Sequence, residues 1–458
     1  MVATSPRRAS AGVLLVGGLA VATALAIRLH NALVYPADWG FDASFNWRYI
    51  YRLSRDWALP DPAAGWSTGD PPLYYAVGAA VFAGLEALGT RDLAVAAIPL
   101  LSTAAGLAVA ALAFALVRRA APEDPGRAWL AAGLLLFLPA HVQMSTMVNE
   151  EMLAAGLTSV AIFVLARERL TRFAPDGPGG LGPAAAAGAA AGGALLTKLS
   201  GAVAVATAAA SCAADALRPG ARRAATARVA VVLAAALATG GWFYLRSRVL
   251  YGWFQPFGLP AHERMFGMPP GARDWLDYVR VPAATFLDPQ MLEPSLLRSV
   301  WGGTYVTTWF DGHRFFLPVE SEAVRRLGTA TLLLALLPTA AFGIGLARGA
   351  GRCLRDPAGA DLPLVLATAL ALTGYALYTW RNPWFVVVKG TSLLGLSLPF
   401  AVYASEEIGR WSRRRGVAIL VGSWLAALAA CVAAGTTFDG LFARPASPGL
   451  AWTPEAMR

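Results

Sequence analysis

Apolar runs about as long as a bilayer is thick recur along this chain, and no other feature limits its fold as strongly. A hydrocarbon core takes about 20 apolar residues per crossing helix. Runs of this kind lie at 11–33, 93–117, 128–147, 151–167, 183–198, 199–217, 229–247, 328–347, 361–380, 386–405 and 416–437, which predicts about 11 transmembrane helices. In lipid, backbone polar groups must be satisfied inside the protein, so such runs read as helices. The composition agrees. The 458 residues are 57% hydrophobic and 14% charged, against about 25% charged in a soluble domain. The expected fold is an all-α polytopic membrane protein. Residues 1–440 would form one transmembrane domain and 441–458 a short tail, with no separate soluble domain. Arg7 and Arg8 ahead of an apolar run, with Ala-Leu-Ala at 24–26, also fit a signal peptide. The run from 12 to 34 is long enough to span, and reads better as an uncleaved anchor.

The arginines set the expected sidedness. Of the 38 basic residues only Lys198 and Lys389 are lysine. If 73–90 does not cross, one face collects Arg7-Arg8, Arg118-Arg119-Arg127, Arg167-Arg169-Arg172, Arg218-Arg222-Arg223-Arg228, Arg348-Arg352-Arg355 and Arg410-Arg413-Arg414-Arg415. Short basic loops face the cytoplasm. The stretch LYYAVGAAVFAGLEALGT at 73–90 is therefore expected to lie in or dip into the outer interface. Two long outer segments result, 35–92 and 248–327. The net charge of +10 then points to anionic lipid headgroups, not nucleic acid. Cys212, Cys353 and Cys431 are far apart and in no metal-ligand spacing, so no disulfide framework is expected.

With that sidedness, ionisable residues gather at the outer ends of the spans. Asp38, Asp42 and Asp70 lie in the first outer loop, with Asn149, Glu150 and Glu151 between the third and fourth spans. Lys198 lies in LLTKLSG, Arg246 and Arg248 in GWFYLRSRVLYG, and Arg381 and Lys389 in TWRNPWFVVVKG. Charged groups at membrane depth are costly and mark function. A carboxylate can take a proton from an attacking hydroxyl, and fixed cations can stabilise a departing phosphate. Together they suggest group transfer from a lipid phosphate on the outer side. Plainer roles stand beside each of these. Asp42 can cap the helix that follows it. Arg246 and Arg248 can anchor the interface beside Trp242, Phe243 and Tyr244. Lys198 can snorkel, and Glu150 and Glu151 can favour a helix start. Trp301, Tyr305 and Trp309 read either as a sugar platform or as an interfacial belt.

The ordered series GFDASFNWRYIYRL…LPDP, GDPPLYYAVGAAVFAGLEALGTRDL, STMVNEEMLAAG, GGALLTKLSG, GWFYLRSRVLYGWFQPFG and VVVKGTSLLGLSLPF, spread over roughly residues 10–405, resembles the GT-C class of membrane glycosyltransferases. The similarity is to the branch with protein O-mannosyltransferases and lipid A aminoarabinose transferases. It implies a polyprenyl-phosphate-linked sugar donor and horizontal helices in the first outer loop. It implies an acceptor hydroxyl or amine on a glycan, lipid or protein, and an active site on the extracytoplasmic face of the cytoplasmic membrane. Asp42 takes the catalytic-base position. Arg246, Lys198, Arg248 and Lys389 are expected near the donor phosphate. Asp38, Asn46, Asp70, Tyr74, Arg91, Asn149, Glu150 and Trp301 are expected to line the substrate site. The chain departs from the family pattern at Ala43, where an acid is common, at Asn46 and Asp70, and in Arg246-Ser247 where an Arg-Asn pair is usual; this bears on acceptor choice. No cofactor is expected, although Asp38, Asp42 and Glu150 could meet around a divalent ion. A transporter or flippase for a lipid-linked glycan is the alternative, against which stand the absence of paired halves and the gathering of polar residues at one face.

Overall fold

The computed structural model describes residues 10–171, 179–254, 273–318 and 321–443. Arg7, Arg8 and the tail from 444 onward lie outside them. The chain runs through α1 (Ala11–Val34), α2 (Ala43–Asp56), α3 (Leu73–Ala87), α4 (Arg91–Ala120), α5 (Pro125–Leu136), α6 (Pro139–Met144), α7 (Glu151–Thr171), α8 (Leu181–Thr197), α9 (Ala202–Ala214), α10 (Arg222–Ala236), α11 (Trp242–Tyr251), α12 (Val300–Trp309), α13 (Glu322–Arg355), α14 (Asp361–Arg381), α15 (Ser397–Trp411) and α16 (Arg415–Thr436), joined by shorter turns. Among the described residues the only β feature is an isolated bridge between Phe438 and Ala443. The fold is that of an all-α polytopic membrane protein.

Seven of the expected spans are helices long and apolar enough to cross a membrane. They are α1, α4, Leu199–Leu217 around α9, the continuous α10–α11 run Arg222–Tyr251, α13, α14 and α16. The expected spans at 151–167 and 183–198 are α7, 21 residues long with charges at its ends, and α8, 17 residues long. The stretch at 73–90 forms a 15-residue helix. At about 1.5 Å per residue it is some 22 Å long, short of the roughly 30 Å hydrocarbon core.

The expected spans at 128–147 and 386–405 are broken helices. Pro139 has no N–H for the turn before it, so α5 stops at Leu136 and α6 restarts at Pro139. The Leu136 carbonyl freed there accepts from the guanidinium of buried Arg28 on α1 at 2.9 Å. Arg28 also reaches His141 Nδ1 at 3.2 Å. In the second case 3₁₀ turns at Phe385–Val387 and Gly390–Leu396 precede α15. The Gly390 N–H donates to Thr307 Oγ1 at 2.8 Å and the Lys389 N–H to the Tyr375 hydroxyl at 3.1 Å. A Cβ at Gly390 would fall 2.0 Å from Thr308 Oγ1, so only glycine lets the segment approach α12 this closely. Irregular backbone survives at this depth because neighbouring helices satisfy it.

The first outer loop has its own core. On α2, Trp47, Ile50 and Leu53 fall at helical spacing and are buried; they pack with Tyr74, Tyr75, Ala79 and Phe82 of α3 and with Ala94 and Ile98 of α4. Burying a side chain of this size stabilises by about 2–3 kcal/mol, so the loop is fixed to the bundle. At the far end of α7, about 27 Å from Glu151, lies a buried ion network. Arg169 pairs with Asp215 at 3.1 Å and Arg228 with both Asp215 and Glu168. A second network joins Arg352 to Asp361 and Glu406, Glu406 to Arg127 and Arg410, and Arg348 to Glu407. The Arg169 guanidinium contacts the Pro357 carbonyl at 3.5 Å, which ties the two networks to one end of the bundle. Arg127, Arg169, Arg228, Arg348, Arg352 and Arg410 therefore collect at the end of the bundle opposite Glu150, while Arg172, like Arg7 and Arg8, lies outside the described residues.

Candidate functional site

The chain positions its polar residues at the other end by interrupting its helices there. The turn 145–150 is folded by Asn149, whose amide donates to the Met144 and Met147 carbonyls at 2.7 and 3.0 Å and whose Oδ1 accepts the Glu151 N–H at 3.0 Å. Asn149 therefore builds the turn that presents Glu150. Lys198 is extended, at φ −158°, between α8 and the next turn. Its ammonium lies 2.7 Å from Glu150 Oε1 and 2.7 Å from Glu151 Oε1. Glu150 Oε2 accepts from Asn46 Nδ2 at 3.2 Å and from the Tyr75 hydroxyl at 3.4 Å. Asn46 Nδ2 also donates to the Val148 carbonyl, and its Oδ1 accepts from Ser67 and Tyr75. One carboxylate thus joins the first outer loop, the 145–150 turn and the Lys198 turn.

Electrostatics extend the group. Burial would raise the Glu150 carboxyl, but the Lys198 charge and hydrogen bond outweigh it and hold Glu150 below its ordinary value, with help from Lys389. Burial opposes the Lys198 charge, yet Glu150 and Glu151 hold its pKa well above normal. Asp70 is pushed well above the usual carboxylate range by burial, then by Glu150; Lys198 opposes, while Asp42 and Glu151 add to the rise. Asp70 and Arg246 both act on the buried Tyr49 hydroxyl, which burial raises, Asp70 raises further and Arg246 lowers. The Tyr49 ring stacks on Tyr75 at 4.1 Å. Tyr378 lies in electrostatic reach of Lys198, Glu151, Asp42 and Asp70. Asp42, Asp70, Glu150, Lys198, Arg246 and Lys389, from five separate parts of the chain, are thus linked by electrostatic reach through Asp70, Glu150 and Tyr49, with the Lys198–Glu150 pair in direct contact.

Asp42 is exposed and left-handed, at φ 53°, immediately before α2. Its side chain makes no capping hydrogen bond, so the plain cap role is not what the structure assigns it. Aspartate is one of the few residues that tolerate this conformation, and strained backbone clusters at functional sites. Arg246 is half-buried and forms no ion pair among the described residues. A π-helical turn at Leu237–Gly241 precedes the helix that carries it. Such turns often sit at functional sites. The Lys389 ammonium lies 5.7 Å from the centre of the Phe41 ring.

Other expected residues lie elsewhere or do other work. Arg248 donates to the Gly252 carbonyl at 2.7 Å and closes the end of α11. The Tyr74 hydroxyl contacts Ser102 of α4 at 3.4 Å, while its neighbour Tyr75 points to Glu150. Arg91 is exposed at the start of α4, beyond the far end of α3. Trp301 packs 6.0 Å from Tyr375, whose hydroxyl accepts the Lys389 N–H. Asp38 is half-buried beside Trp39, whose indole donates to the Phe315 carbonyl at 3.1 Å. Tyr305 donates to the Leu332 carbonyl, and Trp309 is buried against Phe400, so these two aromatics pack helices together. Sequence reading passed over Tyr49, Tyr75 and Phe41; Tyr49 was visible as an aromatic on the apolar face of the amphipathic α2, Tyr75 only as the neighbour of Tyr74, and Phe41 only as the residue before Asp42. Among the described residues no three His, Cys, Asp or Glu side chains are grouped to hold a metal ion.

The Asp70 shift yields a stability prediction. A carboxyl raised in the fold contributes stability that is present below its unfolded pKa, about 3.9, and is lost as pH rises through the folded value. Asp70→Asn removes that loss. Its thermal midpoint in detergent should exceed the parent's by a margin that widens from pH 5 to pH 8. Parallel pH profiles would show that Asp70 is not held protonated by this site.

The helix order and broken spans define the fold class: the chain has a GT-C-like fold. The oligosaccharyltransferase of Archaeoglobus fulgidus in a complex with Zn and sulfate aligns over 95% of this chain and 54% of its own length, at 15% identity and a TM-score of 0.55. The archaeal oligosaccharyltransferase AglB from Archaeoglobus fulgidus, in complex with an inhibitory peptide and a dolichol-phosphate, aligns over 96% of this chain and 57% of its own, at 13% identity and 0.53. The chain thus spans little more than half the length of these solved proteins. ArnT from Cupriavidus metallidurans in the apo state is 19% identical over 88% of this chain and 78% of its own, at 0.40, a likeness too loose to bear on the fold. No family model and no curated protein matches the chain.

Proposed function

We propose that this protein is a membrane glycosyltransferase that moves a sugar from a polyprenyl-phosphate-linked donor to an acceptor hydroxyl or amine. The observation that supports the reading is an exposed, left-handed Asp42 linked electrostatically, through Asp70, Tyr49 and Glu150, to Arg246 and Lys389 in a GT-C-like bundle. The dolichol-phosphate bound by the archaeal oligosaccharyltransferase supports a lipid phosphate as the anchor of the donor. The charge pattern supports an active face on the extracytoplasmic side of the cytoplasmic membrane.

In the proposed reaction the acceptor oxygen or nitrogen attacks the anomeric carbon from the side opposite the phosphate. Its proton passes to the Asp42 carboxylate. The bond from the anomeric carbon to the phosphate oxygen breaks, and its electron pair stays on that oxygen. Arg246 and Lys389 stabilise the phosphate as its charge grows. The stereochemistry inverts. The two glutamates at the site share the Lys198 ammonium.

The test is transfer in nanodiscs with an undecaprenyl-phosphate-linked sugar, with release of undecaprenyl phosphate followed by mass spectrometry. The parent protein should release it and Arg246→Met should do so roughly 10²-fold more slowly, as for loss of one transition-state donor. Equal rates for the two would remove Arg246 from the reaction.

A further inference from the structure

Lys198 has the position of a phosphate ligand but not the partners of one. An ammonium offers three donors. Two are spent on Glu150 and Glu151, each at 2.7 Å. Asp70 and Asp42 lie within electrostatic reach of the same locality. A lipid phosphate brought against Lys198 would therefore meet the two glutamate carboxylates already on its ammonium. Among the described residues, by contrast, neither Arg246 nor Lys389 forms an ion pair, and the Lys389 ammonium lies 5.7 Å from the centre of the Phe41 ring. The acid partners of Lys198 also have work of their own. Glu150 holds Asn46 and Tyr75, which set the start of α2 and α3 on either side of the loop from 57 to 72. Asp42 sits one residue before α2, and Asp70 three before α3. The Ser67 hydroxyl donates to the same Asn46 Oδ1 at 2.8 Å.

We infer that Lys198 is a positioning residue, a built-in counter-ion that holds Glu150 and Glu151 side by side and through them fixes the loop carrying Asp42 and Asp70, leaving the lipid phosphate to Arg246 and Lys389. The inference rests on the transferase reading only for the last clause. The loop-fixing clause stands on the hydrogen bonds alone.

Two measurements separate the possibilities, both on the full chain in nanodiscs with undecaprenyl phosphate as probe. Native mass spectrometry reads lipid binding and hydrogen–deuterium exchange reads the segment 40–72. Lys198→Met should keep undecaprenyl phosphate affinity within about threefold of the parent, a change of under 1 kcal/mol. Arg246→Met should lose at least about tenfold. Exchange over 40–72 should rise in Lys198→Met, not in Arg246→Met, and should return toward the parental level in Lys198→Arg, whose guanidinium can still bridge two carboxylates. Loss of lipid binding in Lys198→Met with unchanged exchange would overturn the inference, because Lys198 would then be a phosphate ligand. A global rise in exchange that Lys198→Arg does not reverse would also overturn it. If the parent itself bound no undecaprenyl phosphate, the transferase reading would fail, and the exchange comparison would still decide the role of Lys198.

Discussion

Asp42→Asn lowers sugar transfer by roughly 10²- to 10⁴-fold, the usual worth of a general base, or about 3–5 kcal/mol of activation free energy. The substitution isolates the proton-accepting role. Asparagine tolerates a left-handed backbone as readily as aspartate, so the φ of 53° at this position is kept. The side chain makes no cap bond to lose, and it is exposed, so no buried partner is stranded. Folding and undecaprenyl phosphate binding should therefore match the parent while turnover falls. The measurement is single-turnover transfer under saturating donor, with thermal midpoint and lipid binding as controls. Parental turnover in Asp42→Asn, with both controls normal, would falsify the assignment and leave Asp70 as the next carboxyl to examine.

Glu150→Ala should destabilise the fold by about 3 kcal/mol, in the range for removing one partner of a buried ion pair. The cost has two parts. Lys198 loses one of its two carboxylates, and the buried Asn46 and Tyr75 lose a shared acceptor. Glu150→Gln should cost less, because its amide oxygen can still accept one of those bonds. Reversible unfolding in mixed detergent gives the comparison. A change in Glu150→Ala within about 0.5 kcal/mol of the parent, as for an ordinary surface substitution, would show that the three-way junction is not a stabilising unit. Because Glu150 is held below the ordinary carboxylate range, its contribution is present above its unfolded pKa and is lost as pH falls through the folded one. The penalty of the variant should therefore shrink in acid.

The positions of the spans could be read from the chain because bilayer thickness and helical rise fix how many apolar residues a crossing needs. The short 73–90 helix and the arginine-rich end follow from the same counting. Two breaks could not be read that way. Pro139 marks one, but a proline can also sit in a kinked helix; what fixes the break is Arg28, 108 residues upstream, reaching the Leu136 carbonyl. At Gly390 the freed N–H goes to Thr307, 83 residues upstream. Neither partner is marked by local spacing.

The candidate site divides along the same line. Residue type told which side chains could accept protons or face phosphate, and their place at helix ends told that they share a side. Whether a given cation is free was invisible, since Lys198 and Arg246 look alike as positive residues closing a helix. Packing separates them: the turn at Asn149 carries two glutamates to Lys198 and none to Arg246.

The sequence by itself determined a many-helix membrane protein with acids and cations gathered at the ends of its spans, because apolar length and the cost of charge in lipid are local properties of the chain. Only the tertiary structure decided which charges neutralise one another and which stay available, because an ion pair is set by the distance between segments that the linear order keeps far apart.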